Sequence, residues 1–151
     1  MDKMDVMQIE RACNRLVVDF VRHIDNGDYD DAARLFTTDG RFVRRGQTFS
    51  GQSAIAASVE EILQARREHP RQPSWRVRHV CTNVFLDVLD ENRAAGGSYY
   101  LIYRYTGGSV EGAAPVKGAS LIGDYADDYV RTSAGWRIAR REAKPVFFEP
   151  E

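Results

Sequence analysis

The segment WRVRHVCTNVFLDVL, residues 75–89, decides the fold that this sequence predicts. Side chains alternate along a strand, so Val77, His79 and Phe85 fall on one side of it, and Val80 and Val84 fall on the other. A strand that is apolar on both sides is typical of a strand covered on both faces. We therefore expect His79 to lie either in the core or on the wall of a pocket.

Three more β-type runs follow this segment, at Ala95–Thr106, Val116–Thr132 and Gly135–Phe148, with turn residues between them. Consecutive runs of this kind predict an antiparallel meander. A shorter strand is predicted earlier in the chain at Arg41–Arg45, and residues 37–40, which contain an Asp-Gly pair, predict a turn before it.

The first half of the chain has helical periodicity. Apolar residues recur at close to every 3.6 positions in residues 6–26, and Gly27 predicts the end of this helix. Two further helices are predicted, a short one after Asp28 and a longer one over residues 52–69. Helices first and strands second predict one α+β domain over residues 1–151, with the helices on one face of a curved sheet.

Composition and charge argue against several classes of function. The net charge of −1 gives no electrostatic case for binding nucleic acid or a membrane surface. Cys13 and Cys81 are far apart and lack metal-ligand spacing, so we expect no zinc site. The sequence also lacks a glycine-rich phosphate loop and a dinucleotide-binding fingerprint, and we expect no cofactor and no other metal. The N-terminal residues lack a signal-peptide core, and no apolar run reaches the ~20 residues that span a bilayer, so we expect a cytoplasmic protein.

Two ionisable residues are predicted to face apolar surface. Asp25 lies ~20° around the first helix from Val18 and ~40° from Val21, at ~100° per residue. Together with His79, it predicts an acid–base pair in a pocket. The alternatives are that Asp25 is a rim residue beside Gly27 and that His79 is a hydrogen-bonded core residue.

Aromatic side chains are candidates for the pocket wall. Hydroxyls of Tyr103 and Tyr125 could polarise a carbonyl or an enolate, although tyrosines are also common in ordinary sheet cores. Arg140 could pair with a neighbouring carboxylate or bind an anionic group. The residues that we predict to contact substrate are Phe20, Phe36, Trp75, Tyr103, Tyr125 and Arg140.

Four motifs in order resemble the SnoaL-like group of the NTF2-like superfamily. They are Ile24-Asp25-x-Gly27-Asp28, Leu35-Phe36-Thr37-x-Asp39-Gly40, His79-x-x-Thr82-Asn83, and the last hairpin from Tyr125 to Arg141. The resemblance implies a cone-shaped α+β barrel, in which a curved, mostly antiparallel sheet wraps around the N-terminal helix, with two further helices. It also implies an apolar pocket at the open end of the cone.

The resemblance implies chemistry as well. The group includes scytalone dehydratase-like and bile-acid dehydratase-like enzymes and polyketide cyclases, and many members use a His–Asp pair without metal or cofactor. By resemblance, Asp25 and His79 correspond to that pair. Phe20 stands at the position where the dehydratases place a tyrosine.

The function we expect is that of a cofactor-free lyase or isomerase, dehydratase- or cyclase-like, acting on a hydrophobic, cyclic, carbonyl-bearing small molecule. One alternative is a non-catalytic protein that binds a small ligand, and another is an NTF2-like structural subunit of an aromatic-ring dioxygenase. Apolar residues on the outer side of the sheet, Val80, Val84 and Leu86, predict a homodimer or homotrimer.

Overall fold

The first helix lies at the centre of the fold. The structure, a computed structural model, describes residues 1–67 and 76–150. Helix α1 (Lys3–Asn26) begins at a capping box, in which the carboxylates of Asp2 and Asp5 each accept the other residue's backbone N–H. It ends at Gly27, whose φ of 85° is left-handed, as predicted. Its buried stripe consists of Ile9, Cys13, Leu16, Val17, Phe20, Val21 and Ile24.

The other elements form two shorter helices and one sheet in the described part of the chain. They are α2 (Tyr29–Arg34), β1 (Phe36–Arg44), β2 (Gln47–Ser50), α3 (Gln52–Arg67), β3 (Arg76–Asp90), β4 (Arg93–Tyr105), β5 (Leu121–Thr132) and β6 (Gly135–Phe148). None of these described helices combines the length and the apolar character that a membrane crossing requires.

The six strands lie in the order β2-β1-β6-β5-β4-β3, and every neighbouring pair is antiparallel except β1 with β6. The sheet is curved and does not close, so β2 and β3 form its edges. Helix α1 packs against β3 and β6, and α2 packs against α3. The α+β fold and the meander of β3 to β6 are therefore confirmed.

Two boundaries differ from the sequence prediction. Residues 37–40 belong to β1 rather than to a turn, and the register of β1 against β6 shifts between Phe36 and Arg41. A Cβ at Gly40 would lie 2.8 Å from the Cβ of Phe36, so glycine permits this irregular stretch. Residues 116–120 precede β5 and are not part of it.

A β-bulge in β3 reverses the predicted alternation of its side chains. Asn83 has a left-handed φ of 51°, and the register against β4 skips from Thr82 to Phe85. One extra residue moves every later side chain to the other face of a strand. Phe85 is therefore 58% exposed, and Leu86 packs against the core, the reverse of the predicted arrangement.

The bulge also changes the surface on which the oligomer prediction was based. Val80 and Val84 are exposed, whereas Leu86 packs against the core. Two of the three apolar residues thus remain available for contact with another molecule. The homodimer or homotrimer stays a prediction.

A second bulge lies in β6. Asp128 pairs with Arg140, but the next residue, Tyr129, pairs with Ile138, so β6 carries one more residue than β5 at this point. Ile138 and Arg141 are consequently both fully buried, although they are three positions apart. The irregularity turns Arg141 into the core and leaves Arg140 partly exposed.

Arg141 forms a buried ion pair that joins the helix to the sheet. Its Nε and Nη2 donate to the two carboxylate oxygens of Asp127, each at 2.7 Å, and neither side chain is exposed. The hydroxyl of Tyr129 donates to the same carboxylate at 2.7 Å. The guanidinium lies 4.6 Å from the ring centroid of Phe20 and 4.3 Å from that of Tyr125. Bidentate pairing and ring contacts therefore hold α1, β5 and β6 together.

Replacing Asp127 by Ala should lower the free energy of unfolding by about 3–5 kcal/mol, because Arg141 would stay buried without a counter-charge. Urea denaturation followed by circular dichroism measures this difference. The double variant Asp127→Leu/Arg141→Met should lose less than Asp127→Ala alone. As a control, Arg140→Met removes a partly exposed partner of Glu142 and should change stability much less. Similar losses for Asp127→Ala and Arg140→Met would contradict this account.

Candidate active site

Asp25 and His79 meet where the end of α1 packs against β3. Nδ1 of His79 lies 2.6 Å from Oδ1 of Asp25, and Oδ2 of Asp25 accepts the backbone N–H of His79 at 2.9 Å. The two side chains are 9% and 11% exposed, respectively. A single carboxylate therefore fixes both the backbone of this strand residue and the orientation of its ring.

The local structure explains how two distant residues come together. Asp25 is in the last turn of α1, directly after buried Ile24 and two residues before Gly27 ends the helix. His79 lies between Val77 and Cys81 on the side of β3 that faces α1, before the bulge changes the alternation. The alternation that places His79 on this face was therefore read correctly from the sequence.

The contact with Asp25 selects one tautomer of His79. An ionised carboxylate only accepts hydrogen bonds, so Nδ1 carries the hydrogen and Nε2 keeps its lone pair. Because His79 lines a cavity while its Nδ1 edge is engaged, Nε2 is the ring atom available to a bound molecule. An imidazole in this state can accept a proton, and the carboxylate stabilises the imidazolium that results.

The cavity beside His79 has a volume of about 760 Å³, counted to its open mouth. Its wall is mainly apolar and aromatic. Among the lining residues are Phe20, Ile24, Val77, Tyr100, Ile102 and Tyr125. Two of the predicted substrate contacts, Phe20 and Tyr125, thus lie on this wall.

Two tyrosines line the same cavity. The rings of Tyr100 and Tyr125 stack at 4.4 Å between centroids, with 32° between their planes. The hydroxyl of Tyr100 occupies the space that a Cβ on Gly123 would need, so glycine makes room for it. Burial raises the pKa of Tyr100 and of Tyr125, which keeps both phenols neutral and able to donate hydrogen bonds.

The structure places Tyr103 outside the wall of this cavity. Tyr103 alternates with Ile102 and Arg104, which both line the cavity, and so its side chain lies on the other face of β4. The inward-facing tyrosine of the strand is Tyr100, which the sequence reasoning did not select. Alternation along β4 identifies Tyr100, because it lies two positions from Ile102 and therefore on the same face of the strand. Trp75, another predicted contact, lies outside the described residues.

Phe36 and Arg140 also lie away from the cavity wall. Phe36 is fully buried in the core, with its ring centroid 5.8 Å from that of Phe20 and 6.2 Å from that of Phe42. Arg140 donates to Glu142 at 2.6 Å, one of the two roles that the sequence left open for it. The irregular stretch of β1 and the bulge of β6 account for these two positions.

Three arginines line the cavity, and the sequence reasoning overlooked all of them as site residues: Arg44, Arg45 and Arg104. Nη2 of Arg44 donates to the carbonyl of Ser58 at 3.2 Å, and its guanidinium lies 5.5 Å from the ring centroid of Phe49. Arg44 therefore connects β1 to α3 and to β2. Arg104 is half-buried on the inner face of β4, and Arg45 is exposed at the turn after β1.

A separate group of possible cation ligands lies where α1 meets α2. Ligand atoms of His23, Asp28 and Asp31 all lie within 4.8 Å of one another. The two aspartates are exposed, and Asp31 already accepts a hydrogen bond from Arg34 at 2.6 Å. Exposed acidic groups often gather in this way without an ion, so we assign no metal to them.

Several solved structures resemble this fold. An NTF2-like protein with a cystatin-like fold from Novosphingobium aromaticivorans is 21% identical, with a TM-score of 0.76 over 95% of this chain and 86% of that chain. A protein from the same organism, provisionally named a scytalone dehydratase, is 20% identical, with a TM-score of 0.77 over 99% and 92%. ActVI-ORFA from Streptomyces coelicolor is 18% identical, with a TM-score of 0.74 over 91% and 97%.

At these identities the solved structures show the fold alone, which is NTF2-like and cystatin-like. No curated protein matches the sequence at a significant level. The family model of the SnoaL-like domain matches residues 5–142, which include nearly all of α1, the two other described helices, most of the sheet and both Asp25 and His79. The chain therefore belongs to the SnoaL-like domain family.

Proposed function

We propose that this protein is a cofactor-free lyase or isomerase that acts on a hydrophobic, cyclic, carbonyl-bearing small molecule. The observation that carries the proposal is the 2.6 Å contact between Nδ1 of His79 and Oδ1 of Asp25 at the wall of an apolar cavity. A base held by a carboxylate in such a place suits the removal of a proton from carbon. The structural similarity to a protein provisionally named a scytalone dehydratase agrees with dehydration as one form of this chemistry.

In the proposed reaction, Nε2 of His79 accepts a proton from the carbon next to the carbonyl. The electron pair of the broken C–H bond moves toward the carbonyl, and an enolate forms. Asp25 stabilises the imidazolium through Nδ1. The imidazolium then returns the proton, to a different carbon in an isomerisation or to a leaving hydroxyl group in a dehydration.

The wall of the cavity supports this reaction in two ways. Apolar side chains keep water away, and electrostatic interactions are stronger where water is excluded. The neutral phenols of Tyr100 and Tyr125 can donate hydrogen bonds to the oxygen that gains charge in the enolate. Phe20 supplies no hydroxyl from α1, so in this proposal the donors come from the sheet.

The variant His79→Gln tests the base directly. We expect the rate of deuterium exchange at the α-carbons of 2-tetralone in D₂O, followed by NMR, to fall by about 10²–10⁴-fold, because glutamine cannot accept the proton. Asp25→Asn should also lower the rate, since the amide no longer selects the reactive tautomer. His23→Gln is the matched control, a partly exposed histidine on α1, and should exchange at the wild-type rate.

Exchange by His79→Gln at the wild-type rate would exclude His79 as the base. A wild-type protein that binds 2-tetralone without exchanging its protons would instead support the alternative of a non-catalytic protein that binds a small ligand.

The variant Tyr100→Phe tests the proposed hydrogen-bond donor and keeps the aromatic ring in place. We expect the exchange rate at saturating 2-tetralone to fall at least about tenfold, with little change in the concentration for half-saturation, because the hydrogen bond strengthens as charge develops. Tyr103→Phe, on the other face of the same strand, should leave both quantities unchanged. Equal rates for the two variants would remove Tyr100 from the proposed mechanism.

A further inference from the structure

We infer that the molecule bound in this cavity carries a carboxylate, and that Arg45 and Arg104 bind that group. The inference rests on the proposed function, because it names the class of substrate that the same cavity accepts: a hydrophobic, cyclic carbonyl compound with an acid group. It goes beyond the His–Asp chemistry, which by itself requires no charge on the substrate.

The first observation is the charge of the wall. Three arginines line the cavity, and the described side chains that line it include no aspartate and no glutamate. Asp25 lies behind His79 and is engaged by its ring and its backbone N–H. Most of the wall is therefore apolar, and the charged side chains on it are positive. Such a wall is a favourable environment for an apolar molecule with one negative group.

The second observation is the position of Arg104 relative to the proposed base. In the pairing of β3 with β4, His79 lies opposite Ile102, and Val77 lies opposite Arg104. Arg104 is therefore the diagonal neighbour of His79 on the inner face, and such neighbours are roughly 7–8 Å apart between their backbones. A group bound by Arg104 can thus belong to the same small molecule that presents a C–H bond to His79.

The third observation is the backbone conformation of Arg45. Arg45 and Gly46 have φ angles of 51° and 74°, so both residues of this hairpin turn are left-handed. Asn, Asp and Gly are preferred at such positions, and an arginine there is conformationally unfavourable. A residue held in an unfavourable conformation on a cavity wall points to a function for its side chain.

The charges of both arginines affect the same group at the cavity, the phenol of Tyr100. Burial and the charge of Asp124 raise the pKa of Tyr100, and the charges of Arg45 and Arg104 oppose that rise. The two guanidinium groups are therefore within electrostatic range of one phenol, although Arg45 lies in the turn after β1 and Arg104 lies on β4. Planar guanidinium groups match the geometry of a carboxylate. Arg44, the third arginine of the wall, donates to the carbonyl of Ser58 and so connects β1 to α3.

Calorimetric titration with 2-naphthoate and with 2-acetonaphthone tests the inference. These two probes share a ring system and differ in charge. We expect wild-type protein at low salt to bind 2-naphthoate at least about tenfold more tightly, a factor equivalent to about 1.4 kcal/mol. The preference should decrease as sodium chloride is added, because salt screens the charges near the cavity mouth.

The double variant Arg45→Gln/Arg104→Gln should lose the preference for 2-naphthoate over 2-acetonaphthone. It should keep its affinity for 2-acetonaphthone, and that affinity also reports that the cavity is folded. The matched control is Arg11→Gln/Arg22→Gln, which removes the same charge from the exposed surface of α1 and should keep the preference. The single variant Arg45→Gln, at an exposed turn, should lose part of the preference for 2-naphthoate.

Absence of 2-naphthoate binding, equal affinities for the two probes, or a preference that survives the double variant would each overturn the inference. The variant His79→Gln separates this result from the proposed function, because it should keep the preference for 2-naphthoate. If proton exchange does not depend on His79 but the preference does depend on the two arginines, the proposed reaction fails and the carboxylate site stands.

Discussion

The carboxylate of Asp25 connects the last turn of α1 to the first strand of the meander, and the cavity is organised around that connection. One oxygen accepts the backbone N–H of His79, and the other meets Nδ1 of the same residue. The contact with the backbone fixes the position of β3 along the helix, and the contact with the ring fixes the direction in which Nε2 points. A displacement of α1 along the sheet would break both contacts together. The architecture and the proposed chemistry therefore depend on the same few atoms.

The fold contains a second acid–base contact, and burial explains why the two have different roles. Asp127 and Arg141 are fully enclosed, and the carboxylate is satisfied by the guanidinium and by Tyr129. A pair without access to a cavity can only stabilise the packing around it. The pair of Asp25 and His79 keeps about a tenth of its surface open at a cavity wall. That opening gives His79 the access to a bound molecule that the proposed proton transfer requires, whereas the buried pair has no such access.

The sequence predicted the elements better than it predicted the directions of side chains. The periodicity of α1, its glycine stop and the four β-type runs were sufficient for the fold, because hydrophobic patterns are repeated many times along each element. Asp25 and His79 could be paired because both lie in regular stretches. Arg140 was chosen in place of Arg141, and Phe85 was placed on the inner side, because a bulge in each of their strands reverses the alternation. A bulge depends on a single residue such as Asn83, and the pattern of the strand does not reveal it.

The packing of Phe20 explains why the tyrosines at the cavity lie on the sheet and not on α1. Its ring is fully buried, with centroids 5.8 Å from those of Phe36 and Phe42, and it also contacts the guanidinium of Arg141. This position of α1 is therefore committed to the core, and the phenols at the cavity belong to β4 and β5 instead. The proposed base, the proposed donors and the arginines are spread over β3, β4, β5 and the turn after β1, so the curvature of the sheet sets the distances among them. For this reason no short motif in the chain contains the whole site, and only the register of the strands brings its parts together.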